Sequence, residues 1–401
     1  MKLLTFTSLY PNVVKPSHGV FVENRLRHLV AGGRVEARVV APVPWFPWRH
    51  ARFRHYAEFA RVPRREERFG IAVHHPRHAA LPGIGMSVSP LAIALAARST
   101  IADLIKSGFE FDAIDAHYFF PDGVAAMLLG KWFGRPVVIT ARGSDIAVLS
   151  HYAMPRRMIR WAAREASAVV TVARALKDAL IALDVDRDKI VVLRNGVDLK
   201  HFTPMARDAS RALLGLSTDE PVVVSVGRLV PLKGHDLVIE AIAALPGVRL
   251  LIAGSGPERQ SLEQLVARLG VSERVHFLGQ VAHDALPPVY SAADALVLAS
   301  SSEGWANVLL EAMACGTPVV ATDVGGSSEV VTAPEAGRMV GERSSRGIAA
   351  ALSELLASRT DRAATRRYAE CFGWDETTRG QERLFESLLP SAPTLQMRGA
   401  R

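Results

Sequence analysis

The sequence predicts an α/β protein made of two doubly wound domains in series, facing each other across a cleft. Three observations carry that expectation. Short apolar runs alternate with helix-period segments along most of the chain, the pattern of parallel strands joined by crossover helices. The alternation occurs twice, interrupted by a polar, turn-rich stretch at 201–209. A chain of 401 residues, 49% of them hydrophobic, is also long enough to bury two cores.

Each element follows from a local pattern. In the first series, apolar runs of strand length lie at 3–7, 37–41, 113–116, 136–140, 168–172 and 190–193, with helical segments at 21–31, 90–107, 123–133, 155–166 and 173–183. The second series has strands at 222–226, 249–253, 275–278, 295–298 and 318–321, separated by helices at 235–244, 257–269, 284–293, 307–315 and 345–356. Gly316 is placed to end the helix at 307–315 as a left-handed cap, and Pro318 prevents its continuation. The division is an N-terminal domain at 1–205 and a C-terminal domain at 206–374. Phe385, Leu388 and Leu389 in the charged tail need an apolar partner, so the helix expected at 375–401 should cross back onto the first domain.

No apolar run reaches the ~18 residues that a spanning helix needs. Polar Thr5, Thr7 and Ser8 interrupt the opening residues, which read as a strand and not as a secretory leader. Cys315 and Cys371 are too few for a disulfide framework and suit a reducing compartment, so a cytoplasmic location is expected. Net charge is +8, but residues 1–80 hold 14 Lys/Arg against 5 Asp/Glu, while the other 321 hold 34 against 35. Within the basic part, 45–68 interleaves Arg49, Arg52, Arg54, Arg61, Arg64, Arg65 and Arg68 with Trp45, Phe46, Trp48, Phe53, Tyr56 and Phe59. Two readings fit this segment: peripheral contact with an anionic membrane, or a solvated face. No nucleic-acid-binding motif accompanies it, so nucleic acid is not an expected partner.

The stretch 300–318 carries the most chemistry. Glu303 lies in a polar loop after a strand, and Glu311 about one turn into a helix that starts near Asn307. Free N–H groups at a helix start form an anion site, so the two acids flank a place for phosphate. The second domain opens with a strand ending in Gly227, followed by Arg228 and Lys233 at the carboxyl edge where α/β ligands bind. An arginine fork beside a compact lysine charge suits a pyrophosphate; the alternative is two surface cations. In the first domain, the Gly19 loop, His117, and Arg142 with Asp145 fall just past strand ends that would line the cleft. A lone histidine is more often structural, but this location favours a site.

Other patterns fail. Gly254-Ser255-Gly256 needs its third glycine where Arg259 stands, so the dinucleotide fingerprint is absent. Asp184, Asp186 and Asp188 meet Lys189 and Asn195 where a calcium loop needs Gly and Glu. His74, His75 and His78 have neither helical frame nor cysteines, and no metal site is expected. Cys315 on an alanine-rich helix reads as packing.

Together these residues resemble the retaining glycosyltransferases of family four, which share the GT-B arrangement of two Rossmann-like domains. Glu303 to Glu311 is similar to their E-x7-E motif. The likeness extends through Gly227-Arg228, Lys233-Gly234, Asn195-Gly196-Val197-Asp198, Gly316-Thr317-Pro318 and Phe372-Gly373-Trp374. The opening, with Pro11, His18, Glu23, Arg25 and Arg27, resembles the subgroup that includes teichuronic acid biosynthesis glycosyltransferases. The resemblance implies that Arg228 and Lys233 hold the diphosphate of a nucleotide sugar, with Glu311 on the ribose and Glu303 beside the donor sugar. Backbone N–H groups at Asn307, Val308 and Leu309 would contact phosphate and sugar. His117 would face the sugar from the first domain and Gly19 would clear room for it. Arg142 and Asp145, read above as lining the cleft, are expected on the acceptor side. Where the subgroup often has Phe after Glu303-Gly304, this chain has Trp305.

The expected reaction is transfer of a sugar from a nucleotide-diphosphate donor to an acceptor hydroxyl with retention, and without an essential metal or other cofactor. A lipid-linked or cell-surface polysaccharide precursor is the expected acceptor. Two competing functions share the scaffold: a sugar-nucleotide epimerase, which the basic aromatic segment disfavours, and a non-catalytic nucleotide-sugar binding protein, which the conjunction of Arg228, Lys233, Glu303 and Glu311 disfavours.

Overall fold

The computed structural model describes residues 1–46, 55–79, 85–358 and 360–389. Trp48, Arg49, Arg52, Phe53 and Arg54 of the basic aromatic segment, and 390–401 of the tail, lie outside the described residues.

Two parallel sheets form the frame. Across the first, the strands run Ile190–Val192, Ala168–Thr171, Val137–Ala141, Ala113–His117, Lys2–Phe6, Glu36–Val40, Ile71–His74 and Arg65–Arg68. All neighbours pair in parallel except the last two, which form a hairpin turned by Phe69 and Gly70, both at positive φ. The second sheet runs Val275–Gly279, Arg249–Ala253, Val222–Val226, Ala295–Leu298, Val319–Thr322 and Gly337–Val340, parallel throughout. Its sixth strand and the hairpin were not apparent in the sequence, where neither forms a long apolar run.

Central strands such as Ala113–His117 and Val222–Val226 are buried at every residue, as strands covered on both faces must be. The first helix, Val20–Ala31, turns Val22, Leu26 and Leu29 inward at helical spacing. One continuous apolar cluster runs from Phe6 and Ile114 of the first domain through Phe202 and Trp305 to Leu296 and Met313 of the second. The domains therefore meet through packed side chains as well as a chain crossing.

Helix Arg207–Leu213 packs against Leu286–Ala292 of the second domain. Its Arg211 is fully buried, pairing with Asp294 at 2.7 Å and donating from Nε to the Ala292 carbonyl at 3.0 Å. The tail helix, Asp375–Glu386, lies on the first domain: Phe385 joins the core beside Leu26 and Leu29, and Trp374 stacks on His28 at 5.1 Å.

Two features modify the sequence reading. Helix residues Ser87–Lys106 are long and apolar enough to cross a membrane by length and composition, contrary to the expectation that no run reaches that size. Their Ile93, Ala94, Ala97, Ile101 and Leu104 nevertheless enter the first domain's core, while Val88, Leu91 and Leu95 face outward. Within the basic segment, Arg68 grips Glu23 of the first helix at 2.5 Å, so this cation is held by the fold.

Asp122 fastens the carboxyl end of the first strand to the loop after Ala113–His117. One carboxylate oxygen accepts from the Ser8 N–H at 2.6 Å, Ser8 Oγ at 2.8 Å and Thr7 Oγ1 at 3.3 Å. Burial pushes its pKa up to about 7, outweighing these hydrogen bonds, which favour the ionised form. Between the ordinary value and about 7, the unfolded chain is ionised while the fold retains the proton. This contribution to stability is therefore complete below the unfolded value and is lost as pH rises through about 7. Thermal unfolding from pH 5 to 8 should show a fall in melting temperature that Asp122→Asn reduces; equal slopes for both proteins would disprove the assignment.

Candidate active site

In each sheet the winding reverses between two neighbours: Lys2–Phe6 with Ala113–His117, and Val222–Val226 with Ala295–Leu298. Crevices beyond such switch points are where doubly wound sheets bind ligands. The loops leaving these strands carry Gly19, Gly227 with Arg228 and Lys233, and Glu303, whereas His117, expected just past its strand, is that strand's last residue, in register with Thr140.

On the second-domain wall, Lys233 and Glu303 are brought together from 70 residues apart. Lys233 Nζ donates to Glu303 Oε1 at 2.6 Å, and Ser300 Oγ donates to the same oxygen at 2.6 Å. The lysine stem passes Gly227, whose added Cβ would lie 3.6 Å from it. Arg228 is exposed at the strand end. Eight residues beyond Glu303, Glu311 is nearly buried on helix Asn307–Ala314. Its Oε2 accepts from Tyr290 Oη at 2.8 Å, and its Oε1 lies 3.1 Å from His283 Nε2. The helix start is tightened: the Asn307 N–H bonds Trp305 O and the Leu309 N–H bonds Ala306 O, each at 3.1 Å. Trp305 is buried, stacked over by Arg194 and pressed on Gly326, so it packs at the domain junction.

The first-domain wall is a buried polar network. His117 is 1% exposed and uses both ring nitrogens: Arg142 Nη2 donates to Nδ1 at 2.8 Å, which leaves the Nε2 proton for Asp115 Oδ2 at 3.2 Å. Burial, reinforced by Arg142 and Arg25, pushes His117 down to about 4 against the pull of Asp115. The ring is therefore neutral at ordinary pH. Burial alone would raise Asp115, but His117, Arg25 and Arg142 hold it below the usual carboxylate range. Asn195 links this network to the second domain. Its Oδ1 accepts from Arg25 at 3.3 Å and Arg142 at 3.2 Å, and its Nδ2 donates to Asn307 Oδ1 at 3.3 Å. Asp145 lies beneath the cleft surface, its carboxylate accepting from the N–H groups of Phe119, Arg142 and Gly143 at 2.7–3.2 Å.

Two glycines are dictated by close approach. Gly19 has φ +75°, and an added Cβ would sit 2.3 Å from the Leu9 carbonyl oxygen, so what it clears is its own loop. Gly304 abuts the other domain, where a Cβ would lie 1.9 Å from the Arg142 carbonyl oxygen. Beside that contact, Glu329 of the second domain binds Arg194 at 2.5 Å and accepts from the Ala175 N–H at 3.1 Å. At another edge, Gln280 donates to Ser17 at 2.8 Å.

Tyr290 and His283 carry no signal in the sequence, and Arg25 enters there only through the family likeness, with no contact assigned to it. Tyr290 and Glu311 are 21 residues apart, and Arg25 and Asn195 are 170 apart, so no local spacing signals either pair. Of the three clustered histidines, His75 lies on Ala41 O and Glu66, and His78 on Ala79 O.

Facing domains of this build define the GT-B class. The sucrose-phosphate synthase of Thermosynechococcus elongatus superposes with a TM-score of 0.80 at 23% identity, covering 96% of this chain and 98% of that one. Anabaena HepE in complex with UDP-glucose gives a TM-score of 0.71 at 25% identity, covering 96% and 99%. Residues 20–201 match the family Glycosyltransferase Family 4, and residues 206–371 match Glycosyl transferases group 1. The chain thus carries a Family 4 N-terminal domain and a group 1 C-terminal domain on the GT-B fold. The D-inositol 3-phosphate glycosyltransferase of Mycolicibacterium smegmatis is 37% identical over 287 residues, 67% of this chain and 65% of the relative. The chain thus spans less than two thirds of that relative's length.

Asn195→Ala removes the acceptor shared by two buried guanidiniums and should cost about 2–4 kcal/mol. Calorimetry should show a clear fall in melting temperature, and an unchanged value would mean that the bridge carries no stability.

Proposed function

We propose that the chain is a retaining glycosyltransferase that moves a sugar from a nucleotide-diphosphate donor to an acceptor hydroxyl. The observation carrying this reading is the juxtaposition of Lys233 with Glu303 at the second switch point, beside Arg228 and the helix that bears Glu311. Departure of a nucleoside diphosphate develops negative charge on its β-phosphate, where preorganised cations and amide groups lower the barrier most. Lys233 and Arg228 supply that charge, the reason for reading the reaction as metal-independent. Glu303 keeps Lys233 oriented and lies beside the sugar. In a same-face displacement the departing phosphate accepts the acceptor proton, so no separate base is required. Glu311 holds the ribose.

His117 is assigned a neutral, donor-facing wall, held in one tautomer by Arg142 and Asp115. Asp145 and Arg142 act on the acceptor side by fixing the loop at Gly143. Gly19 serves by letting the first loop close on itself.

Two acceptor classes follow from different observations. The basic aromatic segment and the outward Val88, Leu91 and Leu95 support a lipid-linked or cell-surface polysaccharide precursor at an anionic membrane on the cytoplasmic side. The relative's name, D-inositol 3-phosphate glycosyltransferase, supports a phosphorylated polyol instead. Flotation with anionic liposomes, alongside assays using inositol 3-phosphate, separates them: binding without polyol activity favours the first, and the reverse favours the second.

With the donor found by screening sugar nucleotides, Arg228→Ala and Lys233→Ala should each lower kcat by roughly 10²–10³. Glu311→Ala should raise the donor KM about tenfold with kcat nearly unchanged. EDTA should leave turnover intact. Wild-type kinetics in both cation variants would defeat the assignment, and a changed sugar nucleotide formed from donor alone would indicate an epimerase.

A further inference from the structure

We propose that His283 is a positioning residue for the nucleotide, fixing the carboxylate of Glu311 and strengthening its hold on the donor when the ring is charged. The inference rests on the reading of Glu311 as the ribose contact. His283 begins the short turn His283–Ala285 that leads into helix Leu286–Ala292, so this turn and helix supply both groups that hold Glu311. Tyr290 takes one oxygen at 2.8 Å and His283 meets the other at 3.1 Å. The ring is confined by His201, stacked at 6.0 Å, and by the edge of Phe202 at 5.1 Å. It lines a cavity of about 200 Å³ together with Glu311, Asn307 and Val308 and, from the first domain, Phe21 and Asp198.

The carboxylates of Glu311, Asp284 and Asp198 favour the imidazolium. Burial works against the charge, but the hydrogen bond and charge of Glu311, with Asp284 and Asp198 behind it, raise His283 above its ordinary value. Tyr290, which holds the other oxygen of Glu311, is kept protonated by burial and Glu311. Among the described aromatic contacts of His283, the one further titratable ring packed on it is that of His201. The charged ring gives the nearly buried carboxylate a counter-charge and adds positive potential near a diphosphate. As pH rises through the His283 pKa that charge disappears, so nucleotide affinity should fall.

The test is calorimetric titration with whichever of UDP, GDP and ADP most raises the melting temperature, at pH values from 6 to 8.5. The nucleotide's own phosphate titrates near pH ~6, so the wild type is compared with variants in the same buffers. His283→Ala should bind about tenfold more weakly at pH 6, with a matching rise in donor KM and little change in kcat. His283→Gln can still donate to Glu311, so it should stay within about threefold of the wild type at pH 8.5 and lose the wild-type excess at pH 6. Melting temperatures identify a variant that fails to fold, and His283→Gln then carries the comparison. Wild-type affinity in His283→Ala, or an unchanged pH dependence in His283→Gln, overturns the proposal. Glu311→Ala separates the two readings: if it binds nucleotide normally, the ribose assignment itself fails. If it binds weakly while the His283 variants behave as wild type, only the role of His283 fails.

Discussion

Two guanidiniums buried at the junction of the domains set the constraint on which the cleft depends. Arg25 is 1% exposed and Arg142 is 9% exposed, and buried charges are tolerated only when neighbouring groups compensate them. Asp115 supplies the negative charge, and the Asn195 amide supplies an acceptor to both cations while reaching Asn307 in the other domain. Satisfying the first domain's buried charge thus fixes where the second domain's site helix begins. The glycine contact at Gly143 and Gly304 adds a steric condition, because a side chain at Gly304 would separate the backbones.

That arrangement gives the two glutamates of the second domain different environments. Glu303 sits with Lys233 and Ser300 at the loop mouth, whereas Glu311 is enclosed by Tyr290 and His283. They are not an acid/base couple flanking a single bond, as in glycoside hydrolysis. One organises a cation beside the proposed diphosphate, and the other is fixed from both oxygens as a rigid acceptor. His117 follows the same logic from the facing wall, where a neutral ring with both nitrogens engaged is a fixed dipole and not a proton carrier.

Most of the framework was legible in the sequence because buried parallel strands leave continuous apolar runs, and the helices between them leave a 3.6-residue period. The features that escaped carry neither signal. Arg65–Arg68 is charged, and its hairpin depends on two positive-φ residues. Gly337–Val340 is short and only half apolar in pattern. The outward stripe on Ser87–Lys106 was missed as a long apolar helix because its scattered polar residues break any uninterrupted run.

By itself, the sequence determined the repeated α/β order, the glycines and cations at strand ends, and the spacing of Glu303 from Glu311 along one loop and helix. These depend on neighbours within a few residues. Only the tertiary structure decided which charge meets which: Lys233 on Glu303, His283 and Tyr290 on Glu311, and Asn195 between two buried arginines and Asn307. Those pairings join positions 21 to 170 residues apart. Partner choice at that range is set by how two sheets pack and by the need to compensate buried charge, and neither leaves a local pattern in the chain.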